Sequence, residues 1–183
     1  MATKVDADYP TSVWDQLSAS RPDAIRNAEP DYHDWDKITA EVVAIETELE
    51  SMKYLDLVNA SGGALVPGNP VYNKTDASGV AAADCNAAVP IPFVLGLLKT
   101  GGASLATVRI QTRGNLTLTL AEWDAVGLTS AGLVANTTYY LSPTAGEITA
   151  TKPATTGDHV VIIGVALSTT TMRIDPKYCG VSA

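Results

Sequence analysis

The chain has 183 residues, of which 46% are hydrophobic, and its formal net charge is −8. This length allows one well-cored domain with an appendage, and the composition excludes a chain that is disordered throughout. The longest apolar run, HVVIIGVAL at 159–167, is shorter than the roughly 20 residues that a membrane helix needs. The first ten residues lack the apolar stretch of a secretory signal. We therefore expect a soluble protein that is synthesised in the cytoplasm and has no membrane partner.

Charge is distributed unevenly along the chain. Residues 1–56 contain 13 of the 20 acidic residues and 5 of the 12 basic ones, whereas residues 57–183 contain 7 of each and are neutral. A nucleic-acid backbone requires Lys and Arg, so the acidic front third argues against a nucleic-acid partner. Two interpretations of this segment stay open: a solvated acidic face, or a surface that meets a basic protein.

Residues 1–30 contain three prolines and the isolated aromatics Tyr9 and Trp14, without a helical or strand period. Such a segment cannot bury enough apolar surface by itself to fold. We expect an extended arm here that becomes ordered on a partner surface.

The stretch PDYHDWDKITAEVVAIETELESM, residues 30–52, predicts a helix within a segment 31–54. Asp31 is a good N-cap, and Asp34 adds negative charge to the first turn. Apolar residues then recur at the three- and four-residue intervals of a coiled-coil seam: Trp35, Ile38, Val42, Ile45, Leu49 and Met52. The seam is shorter than the roughly three to four heptads of a firm coiled coil. The helix either self-associates or packs on its own β-body.

Beyond Leu55 the hydrophobic period changes to two. TVRIQT (107–112) and NLTLTL (115–120) alternate and predict consecutive strands of a sheet with one solvated face. HVVIIGVALS (159–168) is almost continuously apolar, which predicts a central strand buried on both faces. Short strands separated by turn signals favour a compact β-sandwich or barrel-like body over 55–183, and so a mainly β fold.

The body contains an internal pseudo-repeat, at about 63–114 and 131–178. The phrase LVPGNPVYNKTDASGVAAA begins at Leu65, and LVANTTYYLSPTAGEITAT begins at Leu133, an offset of 68. Two half-units that each bury one face against the other would form a single pseudo-symmetric domain.

The same offset aligns Gly96 with Gly164, each inside an apolar segment. A glycine within a buried strand usually marks a bulge or a close approach of another backbone. The closing segments VRI (108–110) and MRI (172–174) align at an offset of 64.

Few residues suggest catalysis. Glu122 and Asp124 would share a face if AEWDAVGL were a strand, and so offer a carboxylate pair for glycoside hydrolysis. A nucleophile and base assembled from Cys85 or Cys179 with His159 has no local motif to support it. Phosphate-loop, dinucleotide and metal-ligand spacings are absent from the sequence. We expect no enzymatic activity, no cofactor and no metal.

Two further features are ambiguous. The cysteines are either reduced, buried thiols or a disulfide that forms outside the cell. Four aromatic residues are either core residues or a candidate glycan-stacking platform: Tyr72, Trp123, Tyr139 and Tyr140.

The phrases ADYPTSVWD, RPD and EPDYHDWDKITAEVVAIETEL resemble the N-terminal segment of head-fibre and capsid-decoration (cement) proteins of tailed bacteriophages. In the body, NPVY, VLGL, TTYYLSPTAGEIT and IIGVALS look like phage-fibre modules. The matching N-terminal positions are Tyr9, Pro10, Trp14, Asp15, Pro30, Asp31, Asp34, Trp35, Glu41, Val42, Ala44, Glu48 and Leu49.

The resemblance implies a non-enzymatic virion protein on the outer capsid surface, a homotrimer that binds the major capsid protein through its N-terminal part. The seam residues listed above would form the oligomer interface. The capsid-binding arm would include Tyr9, Pro10, Trp14, Asp15 and Tyr32. The alternative is a tail-associated adhesin that recognises host surface glycans.

Overall fold

The computed structural model describes residues 32–51, 53–88, 91–128 and 131–183. Within the first helix it describes side chains for residues 38–48. The predicted arm over 1–30 lies outside the described residues, with its Tyr9, Pro10, Trp14 and Asp15, and so does Met52. The side chains of Tyr32, Trp35 and Leu49 also lie outside them.

The chain divides into two compact units, Met1–Glu48 and Leu49–Ala183. Helix α1, Tyr32–Ser51, contains the boundary between them and confirms the helix that the three- and four-residue intervals predict. Within this helix the Thr47 hydroxyl donates to the Val43 carbonyl at 2.7 Å. No helix in the described ranges is both long and apolar enough to cross a membrane.

The second unit is mainly β, as predicted, and contains ten strands and one short helix in its described residues. The helix, α2, is Leu120–Asp124. The strands are β1 (Tyr54–Val58), β2 (Pro70–Asn73), β3 (Val80–Ala82), β4 (Gly96–Thr100), β5 (Thr107–Gln111), β6 (Gly114–Thr117), β7 (Thr138–Leu141), β8 (Ile148–Thr149), β9 (His159–Ala166) and β10 (Thr171–Val181).

The strands form two antiparallel sheets with the same internal order. Sheet 1 runs β1-β5-β4-β2-β3 and sheet 2 runs β6-β10-β9-β7-β8. Replacing each strand of sheet 1 by the strand five places later gives sheet 2. The internal repeat is therefore confirmed in the topology of the body, but its halves are longer than predicted, because the equivalent strands β1 and β6 begin before 63 and 131.

The strand register repeats as well. Val71 lies opposite Gly96 in sheet 1, and Tyr139 lies opposite Gly164 in sheet 2, so the offset of 68 holds for both partners. Likewise, the Tyr72–Ala81 pair of β2 and β3 corresponds to the Tyr140–Thr149 pair of β7 and β8.

The predicted alignment of the closing segments, 108–110 with 172–174, is wrong by two residues. Ile110 lies opposite Leu98, whereas Met172 lies opposite Ala166, so β5 and β10 correspond at an offset of 62 rather than 64. A two-residue shift leaves every side chain on the same face of the sheet. Alternation in the sequence therefore could not separate the two registers.

Both predicted glycines are sites of close backbone approach. A Cβ atom on Gly96 would lie 2.3 Å from the Gln111 carbonyl oxygen, and one on Gly164 would lie 2.2 Å from that of Arg173. Both distances are far below a normal carbon–oxygen contact, so only glycine fits at these two equivalent positions.

The prediction that 107–112 and 115–120 are neighbouring strands of one sheet is wrong. Strand β5 belongs to sheet 1, and β6 pairs with β10 in sheet 2. The chain changes sheet at Gly114, whose φ of 86° is a left-handed conformation that glycine adopts without strain. The segment NLTLTL also stops being a strand at Thr117, because Leu120 begins α2.

Strand β9 is the middle strand of sheet 2, as its apolar run predicts. Burial on both faces is only partly correct. Val161 and Ile163 are buried in the core, but Val165 is 39% exposed.

Each face of sheet 1 belongs to a different hydrophobic cluster. On sheet 1, Leu98 and Ile110 share a face with a cluster made of first-half residues alone. The opposite face presents Leu97, which is buried in a cluster built mainly from the second half. Sheet 1 thus uses one face for its own core and the other to cover sheet 2, which gives the body its sandwich-like character.

Candidate interaction surfaces

Helix α1 presents a row of apolar side chains that are half exposed in the single chain. Ile38, Val42 and Ile45 are 50%, 47% and 58% exposed. Full burial of such a side chain from water is worth about 1.5–3 kcal/mol, and covering the half that is still exposed is worth roughly half of that, so a row of them is a candidate for contact with a partner. These are the described members of the seam that the sequence predicts.

The heptad positions of this row carry information about stoichiometry. The intervals place Trp35, Val42 and Leu49 at a positions, and Ile38 and Ile45 at d positions. β-branched residues at d disfavour parallel two-stranded coiled coils and shift the preference towards trimers and tetramers. Isoleucine at both described d positions would therefore favour three or four helices over two if such helices associated.

Charges beside the seam limit its strength. Glu41 occupies a g position and Glu46 the following e position, and both side chains are exposed. In a parallel bundle these two positions meet between neighbouring helices, so the two carboxylates repel each other there. A bundle built on this helix needs further contacts to be stable.

The predicted glycan platform is wrong as a set. Trp123 is fully buried, and its indole nitrogen donates to the Thr170 carbonyl at 2.9 Å. Tyr139 is 2% exposed, and its hydroxyl accepts from the Val134 amide at 2.9 Å. Neither ring can stack on a sugar because both are part of the core.

The other two predicted platform residues differ from these. Tyr72 and Tyr140 are partly exposed, and Tyr72 packs against the core cluster. With two rings in the interior, the four aromatic side chains do not form one exposed surface.

The carboxylates considered for hydrolysis have structural partners. They lie on α2 rather than on a strand, so residues i and i+2 do not share a face. Glu122 accepts hydrogen bonds from the amide and hydroxyl of Thr119, both at 2.8 Å, in a capping box. These two bonds hold the pKa of Glu122 below its usual value. Asp124 accepts from the Gly132 amide at 2.9 Å.

The cysteines are both free thiols. Cys85 is buried as expected, and burial, followed by the charges of Asp158 and Asp84, raises its pKa to about 11. Such a thiol remains protonated at neutral pH and is a poor nucleophile. Cys179 is exposed, so the expectation that both thiols are buried is wrong for it.

His159 does not pair with either thiol in the described hydrogen bonds. Its Nδ1 lies 3.0 Å from the hydroxyl oxygen of Tyr178. Within the ranges that the structure describes, no group of three or more His, Cys, Asp or Glu side chains is placed to hold a metal ion.

An exposed aromatic cluster was missed by the sequence reasoning. The ring of Tyr178 lies 5.3 Å from that of Phe93 and 5.7 Å from that of His159, measured between centroids. Phe93 is 48% exposed and Tyr178 is 41% exposed. The three residues are far apart in the sequence, and only the pairing of β9 with β10 brings two of them together.

Comparisons of this chain with protein-family models, with curated proteins and with solved structures find no match.

Proposed function

We propose that this protein is a non-enzymatic structural protein of a phage particle. It forms a homotrimer that docks on the major capsid protein through its N-terminal arm and helix, and it stabilises or ornaments the shell from outside. The observation that carries the proposal is the half-exposed row of Ile38, Val42 and Ile45 on α1, in a segment that resembles phage decoration proteins.

The heptad positions support the trimeric state. Isoleucine at both described d positions favours three or four helices over two. The short seam and the Glu41–Glu46 repulsion mean that the helix bundle alone is weak, so contacts of the arms and the β-bodies within the trimer add to it in solution. Three modest arms in one trimer raise the effective concentration of each binding step and slow release.

The charge distribution supports a protein partner for the front of the chain. Residues 1–56 carry the whole net charge of −8. A basic surface on the capsid shell would attract this segment, accelerate the encounter and fix its orientation. Binding then costs the ordering entropy of the arm, which burial of its apolar residues must offset.

A second candidate is a tail-associated adhesin that binds host glycans. The exposed Phe93–Tyr178 pair favours it, because exposed rings are suited to ligand contact. Copy number separates the two: hundreds of copies per particle indicate decoration, whereas about a dozen indicate a tail appendage.

One experiment tests both parts of the proposal. Ile45→Asp places a charge in the seam, and Ala40→Asp adds the same charge at the exposed f position of the preceding heptad. We expect the full chain and Ala40→Asp to have the mass of a trimer in solution. Ile45→Asp shifts the protein to a monomer, because a charge in an apolar seam costs several kcal/mol unless it is paired.

The same proteins are then sedimented with shells that lack this protein, together with a chain that lacks residues 1–30. We expect the full chain to co-sediment, the truncation to stay in the supernatant with a folded body, and Ile45→Asp to bind much more weakly. A monomeric full chain, or a truncation that co-sediments as well as the full chain, contradicts the proposal.

A further inference from the structure

A cleft of about 440 Å³ opens on the body beside the loop that joins β8 to β9. Two of its lining residues are charged, Lys152 and Asp158. Lys152 is exposed, whereas Asp158 is only 7% exposed. The other lining residues are uncharged: Pro143, Thr149, Thr151, Pro153, Ala154 and Thr155. The cleft thus combines uncharged walls with one nearly buried carboxylate.

The charge of Asp158 is unpaired in the part of the chain that the structure describes. There its carboxylate takes part in no hydrogen bond and in no ion pair, not even with Lys152 of the same cleft. Its main chain, in contrast, is bonded on both sides, to Thr155 and to Ser182. A charge that is removed from water and left without a partner is costly. A cation that enters the cleft would supply the missing partner.

Hydrogen bonds from Ser182 fix the loop that forms one side of the cleft. The Ser182 amide donates to the Asp158 carbonyl at 2.8 Å, and its hydroxyl donates to the Pro153 carbonyl at 2.8 Å. Its own carbonyl accepts from the Gly157 amide at 3.1 Å. The loop is therefore held in place before any ligand arrives, which lowers the entropic cost of binding.

The internal repeat indicates what kind of group occupies this position. At the offset of 68, Thr151 is the equivalent of Ala83. Ala83 is fully buried, and its carbonyl accepts from the amide of Gly146, in the turn between β7 and β8, at 2.8 Å. Thr151 is exposed and lines the cleft instead. A position that the second half covers in the first half is thus open in the second half, which favours a protein segment as its occupant.

We propose that this cleft binds a lysine or arginine side chain of a partner protein. The aliphatic part of that side chain lies along the proline and threonine walls, and its ammonium or guanidinium group donates to the Asp158 carboxylate. A calcium ion would need six to eight oxygen ligands, of which the cleft supplies one carboxylate. This site does not depend on the capsid proposal, because it uses residues of the body alone.

The full-length protein is titrated with three capped amino acids, the N-acetyl amides of lysine, arginine and norleucine, and binding is followed by ligand-detected NMR. Norleucine has an aliphatic side chain like that of lysine but no charge. We expect both cations to bind at millimolar concentration, and norleucine to bind about tenfold more weakly or not at all. Calcium chloride should displace them no more than sodium chloride of equal ionic strength does.

Asp158→Asn should weaken the binding of both cations about tenfold or more. It should not lower the melting temperature, because it removes an unpaired charge. Asp175→Asn is the matched control, since this exposed acid does not line the cleft, and it should change neither quantity. Lys152→Gln, an exposed change that removes a like charge, should strengthen the binding of both cations, and it keeps the test valid if Asp158→Asn does not fold.

Four results would overturn the proposal. Norleucine could bind as tightly as the two cations, or Asp158→Asn could bind them as well as Asp175→Asn does. Calcium could displace them specifically, which would make the cleft a metal site. A clear decrease in the melting temperature of Asp158→Asn would mean that the carboxylate is already paired in the folded chain.

Discussion

Sheets 1 and 2 have the same strand order and largely the same register, and both bury the equivalent face, but they differ in how far the opposite face is covered. Leu97 of sheet 1 is fully buried, whereas the equivalent Val165 of sheet 2 is 39% exposed. Gln111 is 1% exposed, whereas its equivalent Arg173 is exposed. At these positions sheet 1 thus has both of its faces covered, although Arg109 on the same face is exposed, and sheet 2 has one face covered and one turned to solvent.

The comparison separates two kinds of position: those that form the core of each half, and those on the opposite face of each sheet. Positions that form each half's own core are apolar in both copies, as Leu65 and Leu133 or Val80 and Ile148 illustrate. Positions on the other face diverge, since Ala83 is buried whereas its equivalent Thr151 is exposed. The face of sheet 2 that no other sheet covers is therefore more polar, like the outer face of a terminal unit in a repeat protein.

The largest effects are expected at the shared glycines. Gly96→Ala and Gly164→Ala each place a Cβ within 2.3 Å of a backbone carbonyl oxygen, which no side-chain movement can relieve. We expect each to lower the free energy of unfolding by about 3 kcal/mol or more. Urea unfolding at a fixed protein concentration measures this.

Gly63→Ala is the control for these variants. A Cβ there has no neighbour within 4 Å, and Gly63 is not among the glycines with positive φ. Its effect should stay within about 1 kcal/mol. If Gly96→Ala and Gly164→Ala differed strongly from each other, the two halves would not be equivalent at this position.

A smaller and asymmetric effect is expected at the diverged pair. Leu97→Ala removes a buried side chain from the shared core and should cost about 2 to 3 kcal/mol. Val165→Ala removes a partly exposed one and should cost less than about 1 kcal/mol. Equal decreases in the free energy of unfolding, measured with urea, would mean that Val165 is as buried as Leu97. That result would contradict the difference between the two sheets.

The repeat was predictable from the sequence because it is a property of spacing. The offset of 68 between Leu65 and Leu133 holds through both central glycines, and it implies that the two halves share one strand order. Which strands are neighbours within that order did not follow from the sequence. The register of the closing strands was not predictable, since a two-residue shift preserves the alternation. The seam of α1 was also visible in the sequence.

Helix α2 was missed although a signal for it was present. Thr119 and Glu122 have the spacing of a capping box, which starts a helix directly after the alternating segment NLTLT. No local signal existed for the cluster of Phe93, His159 and Tyr178, because register shifts in β10 and the packing of a distant loop create it.

The smallest expected effect concerns a cross-strand pair that differs between the sheets. Arg109 donates two hydrogen bonds of 2.8 Å to Asp56, and the equivalent pair in sheet 2 is Thr117 and Thr171, whose hydroxyls lie 3.0 Å apart. The hydrogen bond from Arg109, and then its charge, lower the pKa of Asp56 from its ordinary value of 3.8. The stability that this pair contributes is therefore present above pH 3.8 and is lost as the pH falls through the lower pKa of the folded state.

Asp56→Asn should accordingly lower the melting temperature slightly at neutral pH, and the difference from the wild type should vanish well below pH 3.8. High salt should also reduce it, because both side chains are exposed and the pair is screened. Thr117→Ala should produce a difference that does not change with pH, since neither hydroxyl titrates in this range. If the decrease in melting temperature caused by Asp56→Asn persisted unchanged in acid, the Asp56 side chain would act through packing or backbone effects. The charged pair would then not be what distinguishes the two sheets at this position.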